Sequence, residues 1–293
     1  MQSLRPHQEK AIEMLRQSMR RGNKRVVLAA PCSFGKTRVA VEILKSVAEN
    51  GKRGIFICDR IKLVDQALAE FDRAGIRVGV MQAYHWRSDP SAPIQIASIQ
   101  TIARRRYKPL FNVAIIDECH THYQATTELM ETTTKALFVG LSATPYSKGL
   151  GKYYSDLIVP ITTQELLEKD YLCPVKYYGG VHANLKGVKT KRLTTGASDY
   201  DPKSLSDAVE KDPSLVGAII ENFKRFGKGQ TIAFSPSIKH SEKLVEMFRE
   251  EGFTAEHIDG YMEPDQREEL FEGHDNGDFQ ILSCSRLLNT GYD

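Results

Sequence analysis

A glycine, a lysine and a threonine near the amino end of the sequence have the chemistry needed to hold a phosphate group. They close the stretch 25–37, RVVLAAPCSFGKT, in which an apolar run precedes a short loop and a helical pattern follows it. A strand, a tight loop and a helix in that order direct backbone N–H groups and the positive end of the helix toward one point, which favours an anion. Lys36 adds a cation for the β- and γ-phosphates of a nucleotide, and Thr37 adds a hydroxyl suited to Mg²⁺. We therefore predict a nucleoside triphosphate site around Gly35.

The loop departs from the P-loop pattern on its amino-terminal side. Ala30 stands five residues before Gly35, where that pattern has a glycine. A GKT run can also open an ordinary helix by chance, so the site prediction depends on what the rest of the chain provides.

Two carboxylates follow directly after another apolar run, residues 112–116. Acidic side chains at the exit of a buried strand are costly unless a cation meets them, and the Mg²⁺ of a bound nucleotide would do so. We assign Asp117 as the Mg²⁺ ligand and Glu118 as the group that orients or deprotonates the attacking water.

A second strand end carries hydroxyl groups. The predicted strand 136–140 runs into LSATP, which contains Ser142 and Thr144 and then a proline. Hydroxyls at such a position can bond to a neighbouring loop and report its state, although the same residues also suit an ordinary turn.

Apolar runs and helical patterns alternate along the whole chain, which predicts the α/β class with parallel sheets flanked by helices. Ligands bind at the carboxyl ends of the strands in such sheets. Gln8 lies on the first predicted helix, and its amide can both donate to and accept from an adenine edge. Further strands are predicted at 54–58, 77–81, 94–98, 113–116, 230–234, 254–258 and 279–283, and helices at 6–21, 215–226, 238–248 and 264–271.

Composition is that of a globular protein with ordinary charge. The 293 residues suffice for about two domains, and the net charge of +3 permits a polyanion partner without requiring one. The start, MQSLRPHQEK, is too polar for a signal peptide and no apolar run has membrane-spanning length, so we expect a cytoplasmic protein without membrane contact. The five cysteines form no CxxC pair, and His120 and His122 lack further ligands nearby, so neither disulfides nor a zinc site are expected.

The order of these motifs resembles superfamily 2 helicases and translocases. APCSFGKT, DECH and LSATP are similar to motifs I, II and III of that superfamily, in the branch with a DEAH-like box. LRPHQ, FICDRIKLVDQ and IASIQTIARR are similar to its accessory motifs, most of all in restriction-enzyme motors and repair translocases. TIAFSPSIKHSEKLVEMF and ILSCSRLLNTGYD resemble motifs IV and V. One departure is Ser33, which stands where the family usually has a second glycine.

The resemblance implies two RecA-like domains with ATP and Mg²⁺ between them and nucleic acid, DNA more than RNA, across both. We expect the first domain at 1–150, a connector at 151–174 and the second domain at 175–293. By resemblance, the nucleotide contacts are Arg5, Gln8, Ser33, Gly35, Lys36, Thr37, Gly291 and Asp293, the coupling residues are His120, Ser142 and Thr144, and the nucleic-acid contacts are Arg60, Gln100, Thr101, Ser235 and Thr290.

The sequence stops inside the segment that resembles motif V, and the family's motif VI with its arginine finger would lie downstream. We therefore expect an incomplete second domain, a longer parent polypeptide and slow ATP hydrolysis by this chain. Three alternatives to a DNA motor are a P-loop ATPase without a polymer, a non-catalytic nucleic-acid-binding or scaffold module, and an RNA helicase. The sequence does not distinguish strand separation from translocation along a duplex.

Overall fold

The computed structural model describes residues 3–58, 61–82, 85–105, 109–147, 149–179, 185–192, 198–210, 213–285 and 287. The chain divides into two compact units, residues 1–174 and residues 175–293.

The first unit is built on a seven-stranded sheet in the order β3-β4-β2-β5-β6-β1-β7. Every neighbouring pair in this sheet is parallel. All seven strands therefore end at one edge, where parallel sheets bind ligands. The strands are β1 (Arg25–Ala29), β2 (Gly54–Cys58), β3 (Val78–Met81), β4 (Ile94–Ser98), β5 (Val113–Ile116), β6 (Leu137–Ser142) and β7 (Asp156–Ile158).

Helices cover both faces of this sheet, as the alternation of side chains along a strand requires. Val26 and Leu28 of β1 belong to one buried cluster, and Val27 belongs to the cluster on the opposite face. The first cluster includes residues from the first, second, third and sixth helices, and the other includes residues from the fourth and fifth. The helices are α1 (Pro6–Arg20), α2 (Lys36–Glu49), α3 (Ile61–Arg73), α4 (Ile99–Arg104), α5 (Gln124–Thr132) and α6 (Thr163–Glu168), with a short 3₁₀ turn at Leu150–Lys152.

The structure places residues 151–174, which we expected to be a connector, in the first unit. Strand β7 pairs with β1 along the residues Val26 to Leu28. Leu166 of α6 is fully buried in the same cluster as Val26. This segment therefore extends the sheet and its core, because β1 would otherwise be an edge strand with unpaired backbone groups.

The second unit contains a three-stranded parallel sheet in the order β10-β12-β11 and an antiparallel pair, β8 with β9. Leu244, Val245 and Phe248 of one helix pack with Ile281 on one side of the larger sheet. The strands are β8 (Thr190–Arg192), β9 (Ser198–Tyr200), β10 (Thr231–Ser235), β11 (Ala255–Ile258) and β12 (Ile281–Ser285), and the helices are α7 (Pro202–Glu210), α8 (Pro213–Phe226), α9 (Ile238–Glu250) and α10 (Pro264–Asn276).

The predicted α/β class with helix-flanked parallel sheets is confirmed. Most predicted strands agree with the observed ones within two residues at each end. Strand β6 runs on to Ser142 because Leu141 and Ser142 pair with Leu28 and Ala29 of β1. Among the described residues, every helix is either too short or too polar to cross a lipid bilayer.

Candidate functional site

The loop between β1 and α2 turns through two residues with left-handed backbone angles, Ser33 at φ 60° and Gly35 at φ 82°. Glycine adopts this region freely, whereas other residues pay roughly 1–2 kcal/mol. Ser33 therefore takes up a conformation for which the family usually has glycine. Ala30, at the other departure from the P-loop pattern, is fully buried, and its N–H donates to the carbonyl of Ser142 at 2.8 Å.

Helix α1 braces this loop from the side. The amide of Gln8 donates from Nε2 to the carbonyl of Phe34 at 2.9 Å, and its Oε1 accepts from the N–H of Arg5 at 2.9 Å. The Nε2 atom of His7 lies 3.3 Å from the same Phe34 carbonyl. A Cβ atom at Gly35 would lie 2.4 Å from Gln8 Nε2, so close packing and the positive φ both require glycine there.

Arg5 and Gln8, the predicted adenine contacts, both lie beside the phosphate loop. The guanidinium of Arg5 sits 4.7 Å from the ring centroid of Tyr171 and donates to the carbonyl of Ser33 at 3.5 Å. Gln8 is only 4% exposed, and both ends of its amide are bonded within the protein. Its position shows a role in holding the loop, and the adenine contact stays a prediction.

Lys36 and Glu118 form the central contact of the site. Lys36 Nζ lies 2.8 Å from Glu118 Oε1, and the two side chains are 20% and 30% exposed. Glu118 follows β5 with a positive φ of 45°, and its N–H donates to Oδ1 of Asp117 at 3.0 Å. The N–H of Asp117 is fixed by the carbonyl of Ile57 at 2.8 Å. The structure thus brings the phosphate loop and the acidic pair together across the carboxyl edge of the sheet.

The residues present fit a Mg²⁺ nucleotide. Gly35 is the N-cap of α2 and, in the part of the chain that the structure describes, it makes no side-chain cap, so a phosphate could meet the N–H groups at the start of this helix. Thr37 follows Lys36 in the sequence, and Asp117 precedes Glu118. Their hydroxyl and carboxylate oxygens are the kind of ligand that Mg²⁺ prefers. Within the described ranges, no cluster of three His, Cys, Asp or Glu side chains could hold a metal alone. A metal here would therefore take part of its coordination from phosphate and water, as Mg²⁺ usually does.

A chain of contacts links the acidic pair to the end of β6. Nδ1 of His120 lies 3.2 Å from Glu118 Oε2 and 3.0 Å from Ser142 Oγ. The same Ser142 hydroxyl accepts from the N–H of Thr144 at 3.0 Å. Ser147 adds a bond from its hydroxyl to the carbonyl of His120 at 2.8 Å. The three residues assigned to coupling thus form one continuous path that begins at Glu118.

Packing behind the acidic pair fixes its position. A Cβ atom on Gly140 would lie 2.6 Å from Sγ of Cys119 and 2.9 Å from the ring of Tyr154. Burial, with a smaller effect of the Glu118 charge, raises the pKa of Cys119 to about 12. Its thiol therefore stays protonated and acts as a packing group. All five cysteines are free thiols.

The residues predicted to contact nucleic acid lie at other strand ends. Gln100 and Thr101 are on α4, directly after β4, and Ser98 caps that helix by accepting from the N–H of Thr101 at 3.2 Å. Ser235 ends β10 in the second unit and is 7% exposed. The other two predicted nucleic-acid contacts, Arg60 and Thr290, lie outside the described residues. The predicted nucleotide contacts Gly291 and Asp293 lie outside them as well.

A buried polar network in the second unit was not anticipated from the sequence. Ser241 of α9 has its Oγ 2.7 Å from both Ser283 Oγ and His257 Nδ1. Nε2 of His257 lies 3.0 Å from Asp259 Oδ2, and Ser283 reaches Ser235 at 3.4 Å. The network therefore joins three neighbouring strands behind the predicted contact Ser235. The only sequence signal was the polar residues within otherwise apolar strands, which indicate a partner when they are buried.

Two family models match this chain. Residues 1–147 match the family described as type III restriction enzyme, res subunit, and residues 214–293 match the helicase conserved C-terminal domain. The first match alone covers half of the 293 residues. It contains the phosphate loop, the acidic pair and the end of β6.

Curated relatives and a solved structure extend the comparison. The chain is 21% identical to a putative ATP-dependent helicase, IRC3, of Saccharomyces cerevisiae over 99% of this chain and 45% of the relative. It is 26% identical to the endonuclease subunit of the type I restriction enzyme EcoAI of Escherichia coli over 83% of this chain and 34% of the relative. The chain therefore spans less than half the length of these relatives.

The fold is that of a DNA-bound structure of the ATP-dependent type ISP restriction-modification enzyme LlaBIII. The TM-score is 0.69 at 17% identity, over 100% of this chain and 25% of that one. Together with the family match and the geometry of the phosphate loop, this shows that the chain belongs to the family of the type III restriction enzyme res subunit, among superfamily 2 helicases of the restriction-motor type.

Proposed function

We propose that this chain is a nucleic-acid-dependent ATPase that acts as a helicase or translocase on DNA. The observation that carries the proposal is the 2.8 Å contact between Lys36 and Glu118. It places a mobile cation, an uncapped helix start and two carboxylates at one edge of a parallel sheet. Phosphoryl transfer from ATP requires this combination of positioning and charge.

Each group at the edge has a distinct task in the proposal. Lys36 and the first N–H groups of α2 hold the β- and γ-phosphates. Thr37 and Asp117 would hold Mg²⁺, which would neutralise phosphate charge when bound. Glu118 orients the attacking water and takes up its proton. The remaining nucleotide contacts in the proposal are Arg5, Gln8, Ser33, Gly35, Gly291 and Asp293.

Coupling of hydrolysis to movement uses the path from Glu118 to β6. His120 touches both Glu118 and Ser142, and Ser142 in turn holds the backbone of Thr144. A change in the charge or position of Glu118 therefore alters a hydrogen bond of His120 directly. Thr144 is exposed at the end of this path, where it is available to a second element.

The strand order separates the two ligands along the edge of the sheet. Strands β5, β6 and β1 carry the nucleotide groups, and β4 and β2 lie on the other side of β5. The predicted polymer contacts Gln100 and Thr101 follow β4, and Arg60 follows β2 in the sequence. This layout supports a polymer track beside the nucleotide. The restriction enzymes among the relatives favour DNA as that polymer.

Binding of labelled polymers tests the track. We expect single-stranded or duplex DNA to bind more tightly than RNA of the same sequence, measured by fluorescence anisotropy. The logarithm of the affinity should fall linearly with the logarithm of the salt concentration, because such contacts are mostly to phosphates. Failure of every polymer to bind at low salt would overturn the proposal. Tighter binding of RNA would overturn the choice of DNA as the polymer, and the proposal of a nucleic-acid-dependent motor would stand.

A further inference from the structure

The single tryptophan of the chain stands out on the surface of the first unit. Trp86 is 80% exposed, although an indole is among the most costly side chains to leave in water. It lies in the segment that connects β3 to β4. The fold gains little from this ring, since most of its surface contacts none of the described residues.

The residues on both sides of Trp86 are fastened to the body of the unit. Arg87 lies 2.5 Å from a carboxylate oxygen of Asp72 on α3, and its carbonyl accepts from the N–H of Val80 at 2.9 Å. His85 lies 3.5 Å from Asp65 on the same helix, and its side chain is 11% exposed. The backbone that carries the indole is thereby fixed, and the ring projects from a braced turn. A fixed aromatic ring loses little conformational entropy when a ligand stacks on it.

The position of this turn is set by the register of the sheet. Met81, the last residue of β3, pairs with Ala97, the residue before the end of β4. The chain after β3 therefore leaves the sheet beside Ser98 and the start of α4. Gln100 and Thr101, the proposed polymer contacts, lie on that helix. The segment with Trp86 thus follows the outermost strand on the polymer side of β5.

The chemistry around the ring favours a flat ligand. The Arg87 guanidinium lies 5.5 Å from the centroid of the Trp86 ring, and the His85 ring is stacked with it at 5.9 Å. The following residues, Ser88, Asp89 and Pro90, add no large apolar surface. A protein partner needs a broad patch with a buried centre, whereas a nucleobase needs only one open ring face and a nearby cation.

We infer that Trp86 is a stacking platform for an unpaired base of the nucleic acid that this chain binds. The inference rests on the proposed function and adds a site for single-stranded polymer to it. Stacking of this kind is tolerant of sequence, because every base has a π-face. Base pairs within a duplex are already stacked on both sides, so the site selects single strands or frayed ends.

Fluorescence excited where tryptophan absorbs and tyrosine does not reports on this site alone, because Trp86 is the only tryptophan in the sequence. We expect oligo-dT to quench that fluorescence in parallel with the anisotropy change of a labelled strand. Trp86→Ala should weaken single-strand binding by about 5- to 100-fold. Duplex affinity should change by less than about twofold, within the usual effect of a surface substitution. Trp86→Phe should restore most of the single-strand affinity.

Leu110→Ala is the matched control. Leu110 is 77% exposed in the same unit. It precedes the first residue of β5 and so lies toward the amino ends of the strands, whereas the predicted contacts lie at their carboxyl ends. This variant should bind single strands like the unmodified chain. Unchanged circular dichroism and ATP binding of Trp86→Ala would show that the variant folds.

Three other outcomes overturn the inference in distinguishable ways. The unmodified chain could bind polymer without a change in tryptophan fluorescence, and Trp86→Ala could bind it with the same affinity. That result would reject the stacking site and leave the proposed function intact. Absence of binding to any polymer by the unmodified chain would reject both. A loss of self-association in Trp86→Ala, seen by sedimentation without loss of strand affinity, would assign the ring to a contact between two copies of the chain.

Discussion

The Lys36–Glu118 pair shows how a single contact can prepare a site for a polyanion. Both side chains are partly exposed, and an ion pair in such a place contributes about 0–1 kcal/mol. A triphosphate carries several charges and meets the N–H groups of α2 as well, so it competes readily for the Lys36 ammonium. Glu118 is then released toward the water that it is proposed to activate.

Lys36→Ala should abolish nucleotide hydrolysis and weaken nucleotide binding. Removal of one preorganised charge from a site of this kind costs roughly 3 kcal/mol, or about 10²-fold in rate. Turnover of ATP and binding of a fluorescent ATP analogue measure the two effects. Lys45→Ala is the control, because Lys45 lies on the same helix and away from its start. This variant should keep normal turnover and normal nucleotide binding. Turnover in Lys36→Ala within about twofold of the unmodified chain would contradict the P-loop assignment.

Glu118→Gln and Asp117→Asn should separate two tasks of adjacent carboxylates. Glu118→Gln keeps the proposed metal ligand and removes the group proposed to handle water, so it should bind Mg²⁺·ATP and lose about 10²-fold or more in rate. Asp117→Asn should instead raise the Mg²⁺ concentration needed for binding, because it removes a charged oxygen ligand. Titrations of nucleotide at several Mg²⁺ concentrations distinguish the two variants. The opposite pattern would reverse the assigned roles.

At the scale of elements, the phosphate loop depends on helix α1. His7 and Gln8 both reach the carbonyl of Phe34, and the ring of His7 packs against Phe34 and Tyr171 at centroid distances of 5.1 and 4.9 Å. Tyr171 follows α6, so the segment 151–174 also supports the loop. The geometry of the phosphate site is therefore held by three separate parts of the first unit.

Acidification should weaken this support through His7. Burial lowers the pKa of His7 below its ordinary value, and its Nδ1 is buried without a hydrogen-bond partner among the described residues. Because the folded-state pKa is lowered, this group's stability contribution is fully present above about pH 6.5 and decreases as the pH falls below that value. We expect the free energy of unfolding to decrease between pH 7 and pH 5, measured by urea denaturation.

His7→Gln keeps a side-chain donor for the Phe34 carbonyl and cannot titrate in this range. Its unfolding free energy should therefore depend less on pH over the same interval. Equal pH dependence in the two proteins would show that protonation of His7 does not weaken the fold.

The elements that the sequence predicted are those with a strong local signal. Apolar runs bounded by polar residues located the strands around the site, and the residue types after β1, β5 and β6 indicated its chemistry. Strand β7 has only three residues, DLI, and forms because β1 offers it an edge. The burial of Gln8 is likewise a tertiary effect, since α1 alone gives no reason for a glutamine on its inner face. The Ser241–Ser283 contact joins residues far apart in the chain, which no local pattern indicates.

At the scale of the whole molecule, each of the two units contains a parallel sheet with predicted contact residues at its carboxyl edge. The first carries the phosphate loop and the acidic pair, and the second places Ser235 at the end of β10 above a buried polar network. The family matches fall on both units, residues 1–147 and residues 214–293. The proposed motor would need both units to respond to one hydrolysis event.

The rate of ATP hydrolysis with and without polymer is the most direct test of whether the chain is a nucleic-acid-dependent ATPase. Phosphate release by the 293-residue chain should be compared with no polymer, single-stranded DNA, duplex DNA and RNA, with Lys36→Ala as the control for contaminating activity. We predict that DNA raises the rate by about tenfold or more, equivalent to about 1.4 kcal/mol of the barrier, and that Lys36→Ala shows no such increase. The same rate with and without every polymer, or a stimulated rate that survives in Lys36→Ala, would contradict the assignment of a nucleic-acid-dependent ATPase.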